Sequence, residues 1–238
     1  MLTNSTFCIV IPTYNEVDNL KRLCRLLNEL YPNAVLIISD DDSGDGTEAL
    51  LNTLKAEGIN IDYIKHPHKD GIGPALKAGI LKALEYNTEF IVQMDADFSH
   101  SPFEIQNFIS NKESGDVIVG SKYMTGSVLH NWPFYRYFIS RMGNLYIQFF
   151  LRLPVSDATS GFKLYKTAAL KKIDLKNIKS KGFIFQTEII YKLMKSGAAL
   201  TEIPISFSER EFGRSKMKSW IFLEALWRVL IHFHNSGN

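Results

Sequence analysis

The alternation of short apolar runs with helix-period segments constrains the fold of this chain more than any other feature. Phe7 to Ile11 is an apolar, β-branched run that reads as a central strand. Pro12-Thr13-Tyr14-Asn15-Glu16 follows, and then Leu20, Leu23, Leu26, Leu27 and Leu30 recur at helical spacing. Val35 to Ile38 reads as a second strand, closing on Ser39-Asp40-Asp41-Asp42-Ser43-Gly44-Asp45-Gly46-Thr47. A third unit runs from Ile59 to Ile64 and then Ala75 to Tyr86. A fourth strand, Phe90 to Gln93, delivers Met94-Asp95-Ala96-Asp97-Phe98-Ser99-His100. This pattern predicts an α/β fold: a Rossmann-like, mostly parallel central sheet flanked by helices. Ligands bind such sheets beyond the carboxyl ends of the strands. The polar clusters at 12–16, 40–47 and 95–100 all fall there.

Two carboxylates one residue apart after a buried strand repel each other. A divalent cation bridging them to a ligand's phosphates offsets that cost, because hard cations take oxygen ligands. The alternative is a solvated turn. Gly71-Ile72-Gly73-Pro74-Ala75-Leu76 imitates a dinucleotide fingerprint, but it lacks the third glycine and follows the third strand, which excludes a dehydrogenase of that type. No Gly-Lys-Ser/Thr phosphate loop is present either. The acidic surplus at the strand ends (Glu16, Asp40, Asp41, Asp95, Asp97) favours phosphate bound through a metal, with some carboxylates left for sugar hydroxyls or base NH groups.

A net charge of +2 over 238 residues gives no case for nucleic acid as partner. The two cysteines, Cys8 and Cys24, imply no disulfide framework and fit a reducing cytosol. The first six residues lack the basic region of a signal peptide. No uninterrupted apolar stretch approaches the roughly eighteen residues of a membrane span.

In the second half, Val117-Ile118-Val119 reads as a fifth strand and Trp132 to Leu153 as a helix beginning near Pro133. Its polar residues Arg136, Ser140, Asn144, Gln148 and Arg152 recur every four positions. That spacing suits an amphipathic packing helix. It also sets Arg136 and Ser140 one turn apart, where both can grip a phosphate. Thr159-Ser160-Gly161-Phe162 is a small-residue turn, and Phe185 to Leu193 is a helix whose Glu188 is either a capping charge or a site residue. A strand from Leu200 to Phe207 leads to the basic loop 209–216, suited to a lid. The stretch 220–233 carries two tryptophans and few charges, which fits either an interfacial helix or one that packs in a core or oligomer.

Pro12-Thr13-Tyr14-Asn15-Glu16, Asp40-Asp41-x-Ser43-x-Asp45-Gly46-Thr47 and Asp95-Ala96-Asp97 together resemble the family-2 glycosyltransferases of the GT-A fold. More narrowly, the chain resembles the dolichyl- and polyprenyl-phosphate mannosyltransferases. The narrower likeness adds Ser99-His100, Gly120-Ser121-Lys122-Tyr123, Asp157-x-Thr159-Ser160-Gly161-Phe162-Lys163, Gly182-Phe183-x-Phe185-Gln186-x-Glu188, Glu202-Ile203-Pro204-Ile205 and Glu209-Arg210-x-x-Gly213-x-Ser215-Lys216. It spans roughly residues 7–217. The corresponding domain division is a catalytic domain at 1–217 and an amphipathic C-terminal helix at 218–238, for which the membrane interface is one of the two readings.

The resemblance implies metal-dependent, inverting transfer of mannose from GDP-mannose to dolichyl or polyprenyl phosphate. Pro12, Tyr14 and Glu16 would line the nucleotide pocket, with Ile38 and Asp40 or Asp41 near base and ribose. Asp95, Ala96 and Asp97 would meet the diphosphate, with Mg²⁺ or Mn²⁺ held by Asp95, Asp97 and Ser99. Lys122, Arg136 and Ser140 would hold the acceptor phosphate, and Arg210 and Lys216 would close over the donor. Lys122 departs from the family's usual arginine, keeping the charge but losing the bidentate fork. The implied location is cytoplasmic and peripheral to a membrane, reached directly or through a small membrane-anchoring subunit. Rival readings are transfer of glucose or another hexose to the same lipid, and a catalytically silent binding module.

Overall fold

The computed structural model describes residues 7–208. Its first half alternates strictly: β1 (Cys8–Thr13), α1 (Val17–Leu30), β2 (Val35–Asp40), α2 (Thr47–Ala56), β3 (Ile61–Lys65), α3 (Ile72–Leu84) and β4 (Phe90–Gln93). A 3-10 turn at Pro102–Glu104 leads to α4 (Ile105–Ser110), β5 (Val117–Ser121), β6 (Val128–His130) and α5 (Phe134–Leu151). Then come β7 (Lys163–Lys166), α6 (Thr167–Leu170), α7 (Ile184–Lys195), β8 (Leu200–Pro204) and β9 (Ser206–Ser208).

Every residue of β1, β2 and β4 is buried, as strands covered on both faces require. Alternation along β1 sends Cys8 and Val10 into one core, with Leu76 and Ile80 of α3 and Ile189 and Ile190 of α7. Ile9 and Ile11 face the other, packed with Leu20, Leu23 and Leu27 of α1 and Phe108 of α4. The main sheet has the order β3-β2-β1-β4-β7-β5-β8. Its ladders are parallel except at β7, which runs antiparallel to both β4 and β5. The mostly parallel α/β architecture is therefore the one expected.

That single reversal positions the site. Lys163, the first residue of β7, faces Gln93, the last of β4. The loop entering β7 consequently arrives at the sheet edge where the chain leaves β1, β2 and β4. The stretch 200–207, expected as one strand, breaks into β8 and β9: Pro204 has no amide hydrogen for a ladder, and Ile205 bonds instead to Ser121 and Val128.

The helix expected at 132–153 spans 134–151, with Pro133 just before its first turn. Its inward face mixes the two stripes, burying Asn144 together with Ile147 and Leu151. Asn144 of the polar stripe is buried, whereas Phe134, Tyr135, Phe138, Ile139, Met142 and Phe149 are exposed. Arg210, Lys216 and the C-terminal segment 218–238 lie outside the described residues. Among the described residues no helix is long and apolar enough to cross a membrane.

Candidate active site

The loops leaving β1 and β2 form one wall. The Asn15 amide donates to Ser43 Oγ at 2.7 Å, and the Gly44 amide donates to Asn15 Oδ1 at 3.0 Å. Glu16 does not cap α1 with its own side chain; Asp45 Oδ2 accepts from the first helical amide, Val17, at 2.9 Å. Asn15, Asp42 and Phe98, one in each loop after β1, β2 and β4, hold positive φ angles of 53°, 65° and 58°. A left-handed phenylalanine is uncommon, and such conformations collect where a site over-determines its backbone.

Pro12 and Ile38 are buried in this wall, and Glu16 is half-buried, accepting from Asn19 at 2.7 Å. The Lys69 ammonium lies 3.7 Å from the centre of the Tyr14 ring. Asp40 and Asp41 are engaged by the protein itself. Asp40 accepts from the Ser43 amide and hydroxyl and, at 3.0 Å, from the Tyr63 hydroxyl. Burial first, and the bond to Asp40 second, push the Tyr63 phenol up. Asp41 accepts from the amides of Asp70 (2.7 Å) and Gly71 (2.9 Å), fixing the entry to α3. The glycines of the imperfect fingerprint serve packing: a Cβ on Gly71 or Gly73 would strike the backbone of Lys181 or Ser180.

Asp95 and Asp97 lie just past the end of β4, so their directions are set by the loop and not by strand alternation. Asp97 is buried, and its Oδ1 accepts from the Ser99 hydroxyl (2.6 Å) and amide (3.1 Å). Asp95 keeps about a quarter of its side chain accessible, 27%. Its amide donates to Nδ1 of His100 at 3.2 Å. His100 is buried and stacked on Phe162. Burial pulls its pKa down against the opposing carboxylates of Asp95 and Asp97. An accepting Nδ1 belongs to a neutral ring, so its 3.9 Å approach to the Asp95 carboxylate is a dipolar contact and not an ion pair.

As a metal site, the pair fits a hard cation. Both side chains offer carboxylate oxygen, and one is open enough to reach a ligand. Among the described residues no group of three His, Cys, Asp or Glu side chains converges on one point, so a substrate's phosphates and water would complete the coordination.

Across the sheet, the Lys122 ammonium pairs with Asp157 Oδ2 at 2.5 Å, with Asp157 wholly buried and the lysine side chain only 9% exposed. The rings of Tyr123, Trp132 and Phe207 surround it at 5.0 to 5.8 Å. Thus the Lys122 cation is already held by a carboxylate. Ser140 accepts from the Tyr123 hydroxyl at 2.5 Å, and Arg136 lies half-buried one turn earlier on α5. Arg141 packs on the Tyr123 ring at 4.9 Å. Glu202 Oε1 holds the approach to Asp157, accepting from its amide at 2.9 Å and from Ser156 at 3.0 Å. Glu188 is a loop holder, accepting from the Ser180 amide and hydroxyl. The sequence pattern offers no signal for the Lys122–Asp157 pairing across 35 positions, nor for Tyr63 as a partner of Asp40 or the Asp70 and Gly71 amides as partners of Asp41.

Two curated relatives match nearly the whole chain. The polyprenol monophosphomannose synthase of Mycolicibacterium smegmatis is 35% identical over 223 residues, covering 93% of this chain and 84% of the relative. The undecaprenyl-phosphate mannosyltransferase of Micrococcus luteus is 36% identical over 220 residues, covering 92% and 90%. Among solved structures, glucosyl-3-phosphoglycerate synthase from Mycobacterium tuberculosis, in complex with Mn²⁺, UDP and phosphoglyceric acid, superimposes with a TM-score of 0.68. At 14% identity, over 98% of this chain and 78% of that one, it speaks for the fold alone. The model of "Glycosyl transferase family 2" matches residues 8–174. Sheet, strand-end acids and relatives agree: the chain is a glycosyltransferase and belongs to glycosyl transferase family 2.

Proposed function

We propose that this enzyme transfers mannose from GDP-mannose to the phosphate of a long polyprenol, giving the β-linked polyprenyl-phosphate mannose and GDP. The reading is supported by one observation: the Asp95 and Asp97 acids after β4 and the Lys122–Asp157 pair after β5 lie at the same edge of the sheet, in a chain whose relatives are named for mannosyl transfer to polyprenyl carriers. Pro12, Tyr14, Glu16, Ile38 and Ala96 form the nucleotide side. Asp95, Asp97 and Ser99 would hold Mg²⁺ or Mn²⁺. Such an ion, when bound, neutralises charge on the departing diphosphate.

Lys122, Arg136 and Ser140 would orient the acceptor phosphate. With a second pKa of about 6 it is largely dianionic at neutral pH and needs no general base. A phosphate oxygen bonds to the anomeric carbon as the bond to GDP breaks, so an α-linked donor yields a β-linked product without a covalent enzyme intermediate. Arg210 and Lys216 complete the set of residues assigned to the donor.

The acceptor is a lipid, and the outward face of α5 suits it. Phe134 and Phe149 are 79% and 77% exposed, with Phe138 and Met142 between them. An apolar helix face beside phosphate-gripping residues fits a protein lying on the membrane surface; the alternative cover is a small anchoring subunit. The test is transfer of radiolabelled mannose from GDP-mannose to a short polyprenyl phosphate with Mg²⁺ or Mn²⁺. Asp97→Ala should lower product formation about 100-fold or more. Transfer from UDP-glucose but not from GDP-mannose would overturn the donor assignment.

A further inference from the structure

Beneath the loop entering β7 lies a buried polar cluster that takes no part in the transfer outlined above. Lys163 is wholly buried, and its ammonium donates to the Ser160 carbonyl and, at 2.8 Å, to Gln186 Oε1. Gln93, its ladder partner on β4, donates to the Gly161 carbonyl at 2.9 Å and to the same Gln186 oxygen at 3.0 Å. Tyr165 donates to Gln93 Oε1 at 3.2 Å. A buried ammonium is costly, so its retention among such partners calls for a reason. Burial brings its pKa down to about 7, opposed chiefly by Asp157 and then Asp95.

Two consecutive carbonyls are thus gripped from below by donors on β4 and β7, with Gln186 of α7 accepting from both donors. On the upper side, Gly161 lies against the Asp95 carboxylate. A Cβ on Gly161 would stand 2.9 Å from Oδ2 and 3.0 Å from Oδ1 of Asp95. The height of the 160–161 backbone therefore limits where that carboxylate can lie.

We propose that Lys163 is a positioning residue: with Gln93 and Gln186 it clamps the Ser160 and Gly161 carbonyls, making Gly161 a backstop that sets the Asp95 carboxylate for the divalent cation of the donor complex. The inference rests on the reading of Asp95 given under the proposed function.

The experiment is titration of the full chain with Mn²⁺ in the presence of GDP, following free Mn²⁺ by electron paramagnetic resonance. Wild type is compared with Lys163→Met, Gly161→Ala and the double variant. Lys163→Met frees the loop from below, while Gly161→Ala pushes on Asp95 from above without touching the lysine. Each should weaken Mn²⁺ binding about tenfold, the lower end of what outer-sphere partners contribute. GDP affinity without metal should stay within about twofold. The double variant should fall short of the product of the two effects, because both act on one carboxylate. Unchanged Mn²⁺ affinity in a folded Lys163→Met would overturn the inference. If that variant does not fold, unchanged affinity in Gly161→Ala overturns it instead. A wild type that binds no Mn²⁺ with GDP would overturn the acid-pair reading and this inference together; a binding wild type with unaffected variants overturns only the inference.

Discussion

Asp157→Ala removes the carboxylate partner of a nearly buried lysine, and its cost can be worked from the structure. Asp157 is fully buried and the Lys122 side chain is 9% exposed, so water cannot replace the lost charge. The Thr159 hydroxyl, 3.2 Å from Asp157 Oδ1, loses an acceptor as well. Breaking a buried pair from one side costs about 3–5 kcal/mol. For a domain of this size each kcal/mol lowers Tm by about 2–4 °C, so the fall should be about 6–20 °C. Thermal unfolding followed by circular dichroism at neutral pH reads it. The double variant Lys122→Met/Asp157→Leu leaves no stranded charge and should recover most of the loss, to within about 5 °C of wild type. On the proposed function it should still transfer little mannose, since the cation assigned to the acceptor phosphate would be gone. A fall below about 4 °C in Asp157→Ala would refute the reasoning, as would a double variant no more stable than the single.

Two further outcomes follow from burial and exposure. Cys8 and Cys24 are buried, and burial pushes their thiols up to about 11 and about 12. An aromatic disulfide reagent at pH 8 should therefore label neither in the native protein and both after guanidinium unfolding; fast native labelling would contradict this. On α5, Phe138→Glu and Phe149→Glu should leave Tm within about 2 °C, because both rings are exposed, yet weaken co-sedimentation with anionic liposomes about tenfold or more each. Unchanged liposome binding would remove this face from the membrane.

Residues 7–97 were legible because β1, β2 and β4 are continuous apolar runs and their loops carry the acids. β7 was not. Its Lys-Leu-Tyr-Lys pattern reads as exposed, since lysine is almost never fully buried, whereas Lys163 is buried and donates to the Ser160 carbonyl and Gln186. Helix α5 was legible as amphipathic but not in its orientation. Periodicity locates a stripe without saying which side meets the protein, and here Asn144 turns inward to bond Thr159. The acid pair was placed by the strand before it, whereas Tyr63 of β3 reaches Asp40 across 23 positions and loop residues reach Asp41 and Lys122 across 29 and 35. Contacts at that range belong to the folded topology and leave no local trace in sequence.

The reversed strand also bears on how the chain emerges from the ribosome. β1 to β4 can assemble once the first half has been made, but β4 then presents Phe90-Ile91-Val92-Gln93 as an open edge. Its other neighbour is β7, synthesised about 70 residues later, a delay of roughly 4–14 s at ordinary elongation rates. For that interval the nascent chain carries an apolar strand with unpaired amides and carbonyls, the kind of edge on which other chains add. Slowing translation between residues 94 and 162 should therefore raise aggregation of the newborn protein without altering the stability of the finished one.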